Sequence, residues 1–408
     1  MRFIPALLAL LLLSTGCQHH SIGPKTTGQT LPGIDVFAER GFDSLKGKRV
    51  GLITNHTGLT RGNRSTIDVL HERNDFELVA LFSPEHGIRG DADAKVESGK
   101  DSKTGLMVHS LYGKTRKPTP EMLAGVEVLV FDITDIGTRF YTYIGTMSKS
   151  MEAAREANIP FIVLDRPNAI GGSKVEGAVL PPDLAGAFTA IHPIPTRHGM
   201  TMGELALLFN AEFGIGCDLE VIPMEGWERT MHYDDTGLLW VNPSPNMKTL
   251  NGAILYPGPG AAETTTIAVG RGTDRPFEMY GAPYMNGEVL AAEMASRNTP
   301  GVRWVPFVFT PTAPYHKFKD ERCEGVFAIV TDRDQLDSVT AGLHLVQAMH
   351  QLYPEQFQAE GGFATHTGDP EIWSKLTEQN LTPEQVVEAW QPDLDRFLAT
   401  RSRYLLYR

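Results

Sequence analysis

Two glutamates have the settings best suited to chemistry in this chain of 408 residues. Glu85 lies in Ser83-Pro84-Glu85-His86-Gly87-Ile88-Arg89-Gly90, directly after an apolar run. Proline stiffens the backbone there and the glycines permit a tight turn, so the carboxyl is held in place. A general acid needs that fixed position, together with partial burial. Glu176 lies in the glycine-rich loop Gly171-Gly172-Ser173-Lys174-Val175-Glu176-Gly177. Two carboxyls at neighbouring strand ends could flank a glycosidic bond, one acting on the leaving oxygen and the other on the opposite face. The same residues also read as structural ion pairs, Glu85 with Arg89 or His86 and Glu176 with Lys174.

A third stretch, Asp135 to Tyr143, combines a carboxylate, the guanidinium of Arg139 and the aromatics Phe140, Tyr141 and Tyr143. Aromatic faces stack on sugar C–H faces, and arginine forks onto carboxylates. The alternative is a core Phe140 and an Arg139–Asp135 pair. His56, His86 and His198 are candidate metal ligands, but no close ligand pair supports them, so no metal or cofactor is expected. The first strand is followed by Thr54-Asn55-His56, which lacks the dinucleotide glycines. No phosphate loop, nucleophile elbow or His-Glu-x-x-His helix occurs either.

The elements that must position these groups follow from apolar patterning. Runs at Arg49–Thr54, Leu78–Phe82, Val126–Phe131 and Pro160–Leu164 are apolar over most of their length instead of strictly alternating, as suits strands covered on both faces. Helical stretches at Ser65–Glu72 and Met147–Ala157 alternate with them, which predicts an α/β, Rossmann-like, mostly parallel sheet. Each strand is followed by polar residues: Asn55 and His56; Glu85, His86 and Arg89; Asp132 and the Asp135 run; Asp165, Arg166 and Asn168. In open α/β sheets ligands bind beyond the carboxyl ends of the strands, so these residues are expected to share one rim. Thr201 with Glu204 predicts a capped helix. Crowded Pro and Gly between 242 and 260 place a domain boundary near 250. Beyond it, a smaller α+β domain is expected, with helices near 287–296 and 336–352 and strands near 305–309 and 325–331.

At the amino terminus, Arg2 precedes the uncharged run Phe3–Leu13, too short to span a bilayer, which needs roughly 20 residues. Leu13-Ser14-Thr15-Gly16-Cys17 then reads as a cleavage site with lipidation on Cys17. The expected organisation is a signal peptide (1–16), a lipidated cysteine and flexible spacer (17–33), a Rossmann-like domain (34–250) and the α+β domain (251–408). An exported envelope protein follows, at the outer membrane facing the periplasm if the cell has two membranes. A net charge of −12 argues against nucleic-acid binding. Cys217 and Cys323 read as buried small hydrophobes, with one disulfide as the other possibility.

Several peptides, in order, resemble the exo-β-N-acetylmuramidase (NamZ) family. They include Gly51–Gly58, Ser83–Gly87, Phe131–Ile144, Leu164–Gly172, Pro193–Thr201, Pro243–Met247, Gly270–Thr273 and Tyr404–Tyr407. The resemblance implies a cleft between two domains, Glu85 as the catalytic glutamate, Glu176 as a second one, and release of N-acetylmuramic acid from the non-reducing end of peptidoglycan fragments. Arg139 or Arg197 would read the lactyl carboxylate, with His198 beside them. The family pattern Glu-Gly-Thr-Asn-x-Ser becomes Glu263-Thr264-Thr265-Thr266-Ile267-Ala268 here, which removes hydrogen-bonding groups expected near the cleft. The alternative reading is a lipid-anchored sugar-binding protein without catalysis.

Overall fold

The computed structural model describes residues 29–88, 98–314 and 316–408. Arg89 and Cys17 lie outside them. Strands β1 (Arg49–Thr54), β2 (Glu77–Ser83), β3 (Gly99–Lys100), β4 (Met107–Ser110), β5 (Val128–Asp132) and β6 (Phe161–Leu164) come first. A two-stranded ribbon follows, β7 (Glu176–Val179) with β8 (Pro195–Arg197), and then β9 (Leu219–Ile222). Seven of these form one sheet in the order β3-β4-β2-β1-β5-β6-β9, parallel except for the short β3–β4 pair. The sheet is thus the mostly parallel α/β sheet expected, extended at both edges by strands too short or too polar to stand out in the sequence.

Alternate side chains of the central strands enter different cores, as the two-residue strand period requires. Val50, Leu52, Val128, Val130, Ile162 and Leu164 pack under the helices Gly33–Glu39 and Thr66–His71. Ile53, Phe82, Leu129, Phe131, Phe161 and Val163 pack on the other face, with the helices Tyr143–Ala157 and Met202–Glu212. Each fully buried side chain of this size contributes about 1.5–3 kcal/mol. This second core continues without a break into the following domain through Leu255, Tyr280, Val326 and Leu345.

That domain carries an antiparallel sheet of β10 (Met279–Ala282), β11 (Val302–Phe309) and β12 (Cys323–Val330), in the order β10-β12-β11. The helices Gly287–Ala295 and Ser338–Leu352 accompany it. Cys217 and Cys323 are both buried free thiols. Residues 30–33, expected as the end of a spacer, are packed instead. Thr30 is fully buried, and Leu31 exchanges backbone hydrogen bonds with Glu225.

Candidate active site

Register brings the carboxyl ends of the central strands level. Thr54 of β1 pairs with Asp132 of β5, and Ile53 with Phe82 of β2. The loops leaving these ends form one wall of a cleft of about 210 Å³, and the second domain forms the other. Glu85, His86, Tyr112, Phe140, Tyr141 and Thr142 come from the first wall; Tyr256, Glu263, Arg271, Phe277 and His366 come from the second. Ser244, Asn246 and Met247, from the Pro- and Gly-rich connection, close the floor between them.

Glu85 is presented by a turn in which His86 and Gly87 both have left-handed backbones, φ 69° and 77°. A non-glycine residue there is strained, and such strain clusters at functional sites. The carboxylate accepts a hydrogen bond from Thr142 Oγ1 at 2.6 Å. The Tyr112 hydroxyl faces the same carboxylate and is pushed up to about 12, first by burial and then by the charge of Glu85. It therefore keeps its proton and stays a donor. Thr142 precedes the helix Tyr143–Ala157, so the position of Glu85 is tied to a rigid element.

Across the cleft, Glu263 lies in the 3₁₀ turn Pro259–Thr264. This turn is seated by close backbone contact. A Cβ on Gly258 would stand 1.6 Å from the Ser338 carbonyl oxygen, and one on Gly342 would stand 2.3 Å from the Gly258 carbonyl carbon. The Glu263 carboxylate accepts from Arg271 Nη1 and from the Tyr256 hydroxyl, both at 3.2 Å. His366 Nδ1 is 3.9 Å away, and burial holds its imidazole below the ordinary range. His366 stacks on Phe140 with centroids 4.4 Å apart, and Phe140 in turn packs against Tyr256 at 4.9 Å. One apolar floor thus bridges the two walls.

Of the residues expected from sequence, Glu85, His86 and Tyr141 line this cleft. Most of the others lie beneath its rim and hold it together. Glu176 does not join Glu85. It is buried, takes Arg197 Nη1 at 2.6 Å on one oxygen and the Ser338 amide at 3.0 Å on the other, at the start of the helix Ser338–Leu352. Its partner is thus Arg197 and not Lys174, whose Nζ donates to the Leu336 carbonyl. Anions are stabilised at a helix amino terminus, so Glu176 joins the two domains as an electrostatic brace.

Arg139 and Arg197 are 0% and 2% exposed and do not reach the cleft. Arg139 donates to the carbonyls of Thr365 (2.7 Å) and His366 (2.8 Å) instead of pairing with Asp135. Asp135 is itself pushed up to about 7 by burial. Arg197 also donates to the Ile170 carbonyl at 2.5 Å. His198 is buried and accepts the Met200 amide on Nδ1 at 3.2 Å. Burial, then the charges of Arg401, Arg197 and Arg139, push it down to about 3, so its ring is neutral.

Asp132 and Arg166 form a buried pair, and Thr66 Oγ1 donates to Asp132 at 2.5 Å. Asp165 accepts from Thr201 Oγ1 (2.7 Å), the Gly203 amide (2.8 Å) and the Tyr407 hydroxyl (2.5 Å). Asn168 donates to the Met200 carbonyl at 2.9 Å, and Asn55 takes both the amide and hydroxyl of Thr57. His56 Nε2 donates to the Asn242 carbonyl at 2.7 Å, and the fully buried Tyr143 donates to the Pro243 carbonyl. The last two anchor the cleft floor. His56, His86 and His198 belong to no cluster able to hold a metal among the described residues.

Glu263, Arg271, Tyr256, Phe277 and His366 were absent from the expected site. Their nearest signals were the Glu263 and Gly270-Arg271-Gly272-Thr273 peptides. Of the altered family pattern, Glu263 alone lines the cleft. The hydroxyls of Thr264, Thr265 and Thr266 donate to backbone carbonyls of Ala261, Ala262 and Gln356. Ala268, where a serine was expected, lines a lobe beside the cleft.

Comparison with known proteins follows the same two walls. Residues 50–251 match the model described as exo-beta-N-acetylmuramidase NamZ, N-terminal, and residues 254–407 match its C-terminal counterpart. The chain belongs to the NamZ family. A NamZ relative, the peptidoglycan beta-N-acetylmuramidase of Bacillus subtilis (strain 168), is 48% identical over 379 residues, which cover 92% of this chain and 91% of the relative. Two crystal structures of DUF1343 family proteins from Bacteroides fragilis NCTC 9343 share the fold. One has a TM-score of 0.86 at 42% identity, the other 0.75 at 32%, and each alignment covers 93% of this chain and 99% of the other.

Proposed function

We propose that this NamZ-family chain is a glycosidase that releases N-acetylmuramic acid from the non-reducing end of peptidoglycan fragments, with Glu85 and Glu263 as its working carboxyls. The observation that carries this reading is their placement on opposite walls of one aromatic-lined cleft. Glycoside hydrolysis needs one carboxyl to protonate the leaving oxygen and another on the far side of the ring, where positive charge develops. Glu85, oriented by neutral hydroxyls, is the proton donor. Glu263, carried by the second domain, faces the sugar carbon. Tyr141, Tyr256 and Phe140 line the cleft and give the sugar an aromatic, apolar surface to lie against. The 48% identical B. subtilis relative supports the substrate class.

The test is turnover of a chromogenic β-N-acetylmuramide by the purified protein and by Glu263→Gln. The wild type should release both chromophore and N-acetylmuramic acid. Glu263→Gln should lose about 10²-fold or more, in the range of positioned carboxyls. No release by the folded wild type would remove the muramidase reading, and a fully active Glu263→Gln would remove Glu263 from it.

The amino-terminal pattern supports export and a lipid on Cys17, with the protein at an outer membrane in a two-membrane cell. Cys17→Ser should move the protein from the membrane to the soluble fraction. An unchanged membrane fraction would dismiss the anchor.

A further inference from the structure

With Arg139 and Arg197 committed beneath the rim, recognition of an acidic sugar needs another cation. Among the described residues lining the cleft and the lobe beside it, the permanently charged cations are Arg271 and Lys317. Lys317 Nζ already donates to the carbonyls of Glu263 and Thr265 and to Glu360 Oε2. Those three acceptors match the three donors of an ammonium. Arg271 lines both the cleft and the lobe, and its side chain is 37% exposed.

We infer that Arg271 reads the carboxylate of the acidic sugar, with the acid-bearing substituent seated in the lobe. This rests on the muramidase reading above. The lobe, about 120 Å³, shares Glu263 and Arg271 with the cleft, so a substituent on the bound ring can enter it directly. Its other walls include Ile267, Ala268 and Val269. A lactyl ether carries one methyl and one carboxylate. The apolar wall suits the first, and a planar guanidinium fork suits the second. Arg271 also sits against Glu263, 3.2 Å away, and so offsets the repulsion between that carboxylate and an incoming one. A neutral sugar would gain nothing from this arrangement.

Free N-acetylmuramic acid and N-acetylglucosamine differ by this lactyl group alone, so calorimetric titration of both isolates its recognition from catalysis. The wild type should bind the acidic sugar about tenfold or more tightly than the neutral one, a difference of ~1.4 kcal/mol or more. Arg271→Ala should bring that ratio close to unity, and Arg271→Lys, which keeps charge but loses the fork, should fall between. Thermal melts establish that each variant is folded, and Arg271→Gln replaces the alanine variant if that one unfolds. A wild type without preference overturns the inference. So does a variant without the guanidinium that keeps the ratio, or one that weakens both sugars equally, since Arg271 would then serve only Glu263. A protein that prefers the acidic sugar but cleaves no glycoside retains the inference and loses the muramidase reading.

Discussion

Glu85 and Glu176 stand in similar sequence settings, each after a strand end and among glycines, yet the fold uses them in opposite ways. Glu176 has both oxygens committed, one to a guanidinium and the other to helix amides, and is sealed from water. Glu85 is held by the Thr142 hydroxyl, with the Tyr112 hydroxyl beside it, at the edge of a cleft. Hydroxyl donors orient a carboxylate without neutralising it, whereas an arginine and a helix terminus together cancel its charge. The character of the partners thus separates a group available for proton transfer from one consumed in cohesion.

Three substitutions sharpen that contrast, beginning with the largest effect. Glu85→Gln should reduce kcat/KM on the chromogenic muramide by about 10²–10⁴-fold. Its melting temperature should stay unchanged, because the amide oxygen can still accept from Thr142. A loss below tenfold, or a clear drop in melting temperature, would place Glu85 with the braces. Glu176→Gln should do the reverse. It strands the buried Arg197 and should cost about 3–5 kcal/mol in urea denaturation, while the folded fraction keeps its kcat. Unchanged stability, or a collapse of kcat with stability intact, would break the comparison.

The third tests the cationic cluster beside the brace. His198 is neutral in the fold, pushed down to about 3, while an unfolded histidine titrates near 6.5. As pH falls from about 6.5 towards 3 the unfolded state takes up this proton and the folded state does not. Stability is therefore full above that window and declines within it, by at most about 1.4 kcal/mol per pH unit for this group. His198→Asn keeps an acceptor for the Met200 amide and cannot titrate. Denaturation at pH 7.5 and 5.5 should show a smaller loss in the variant than in the wild type. Equal losses would mean His198 titrates much as it does in the unfolded chain.

The sheet was legible because strands covered on both faces are apolar along most of their length, and Arg49–Thr54 emerges with its expected bounds. The rim was legible too, since polar residues follow each strand. What local patterning could not separate was the rim from the layer beneath it. Asp132, Asp165 and Arg166 lie at or immediately beyond their strand ends, still inside the packed layer, and their partners come from distant parts of the chain. Glu263 was obscured for a related reason. It sits on a 3₁₀ turn whose placement depends on Gly258 and Gly342 meeting in close backbone contact. Nothing within its own peptide marks it as facing Glu85.

The carboxyl-terminal stretch carries one more consequence. Tyr407 donates to Asp165 across 242 positions, the Leu406 amide donates to Glu204 at 2.8 Å, and the Arg229 amide donates to the Arg408 carbonyl at 2.8 Å. The chain thus leaves the first domain, builds the second, and returns to finish the first. The two matched regions, 50–251 and 254–407, therefore differ as stretches of sequence but are not separable modules. A fragment ending near residue 250 would keep the whole large sheet and still leave Asp165 and Glu204, both fully buried, short of their donors. The halves of this molecule are interdependent in the manner of a buckled strap, whose loop has no hold until its free end is drawn back through.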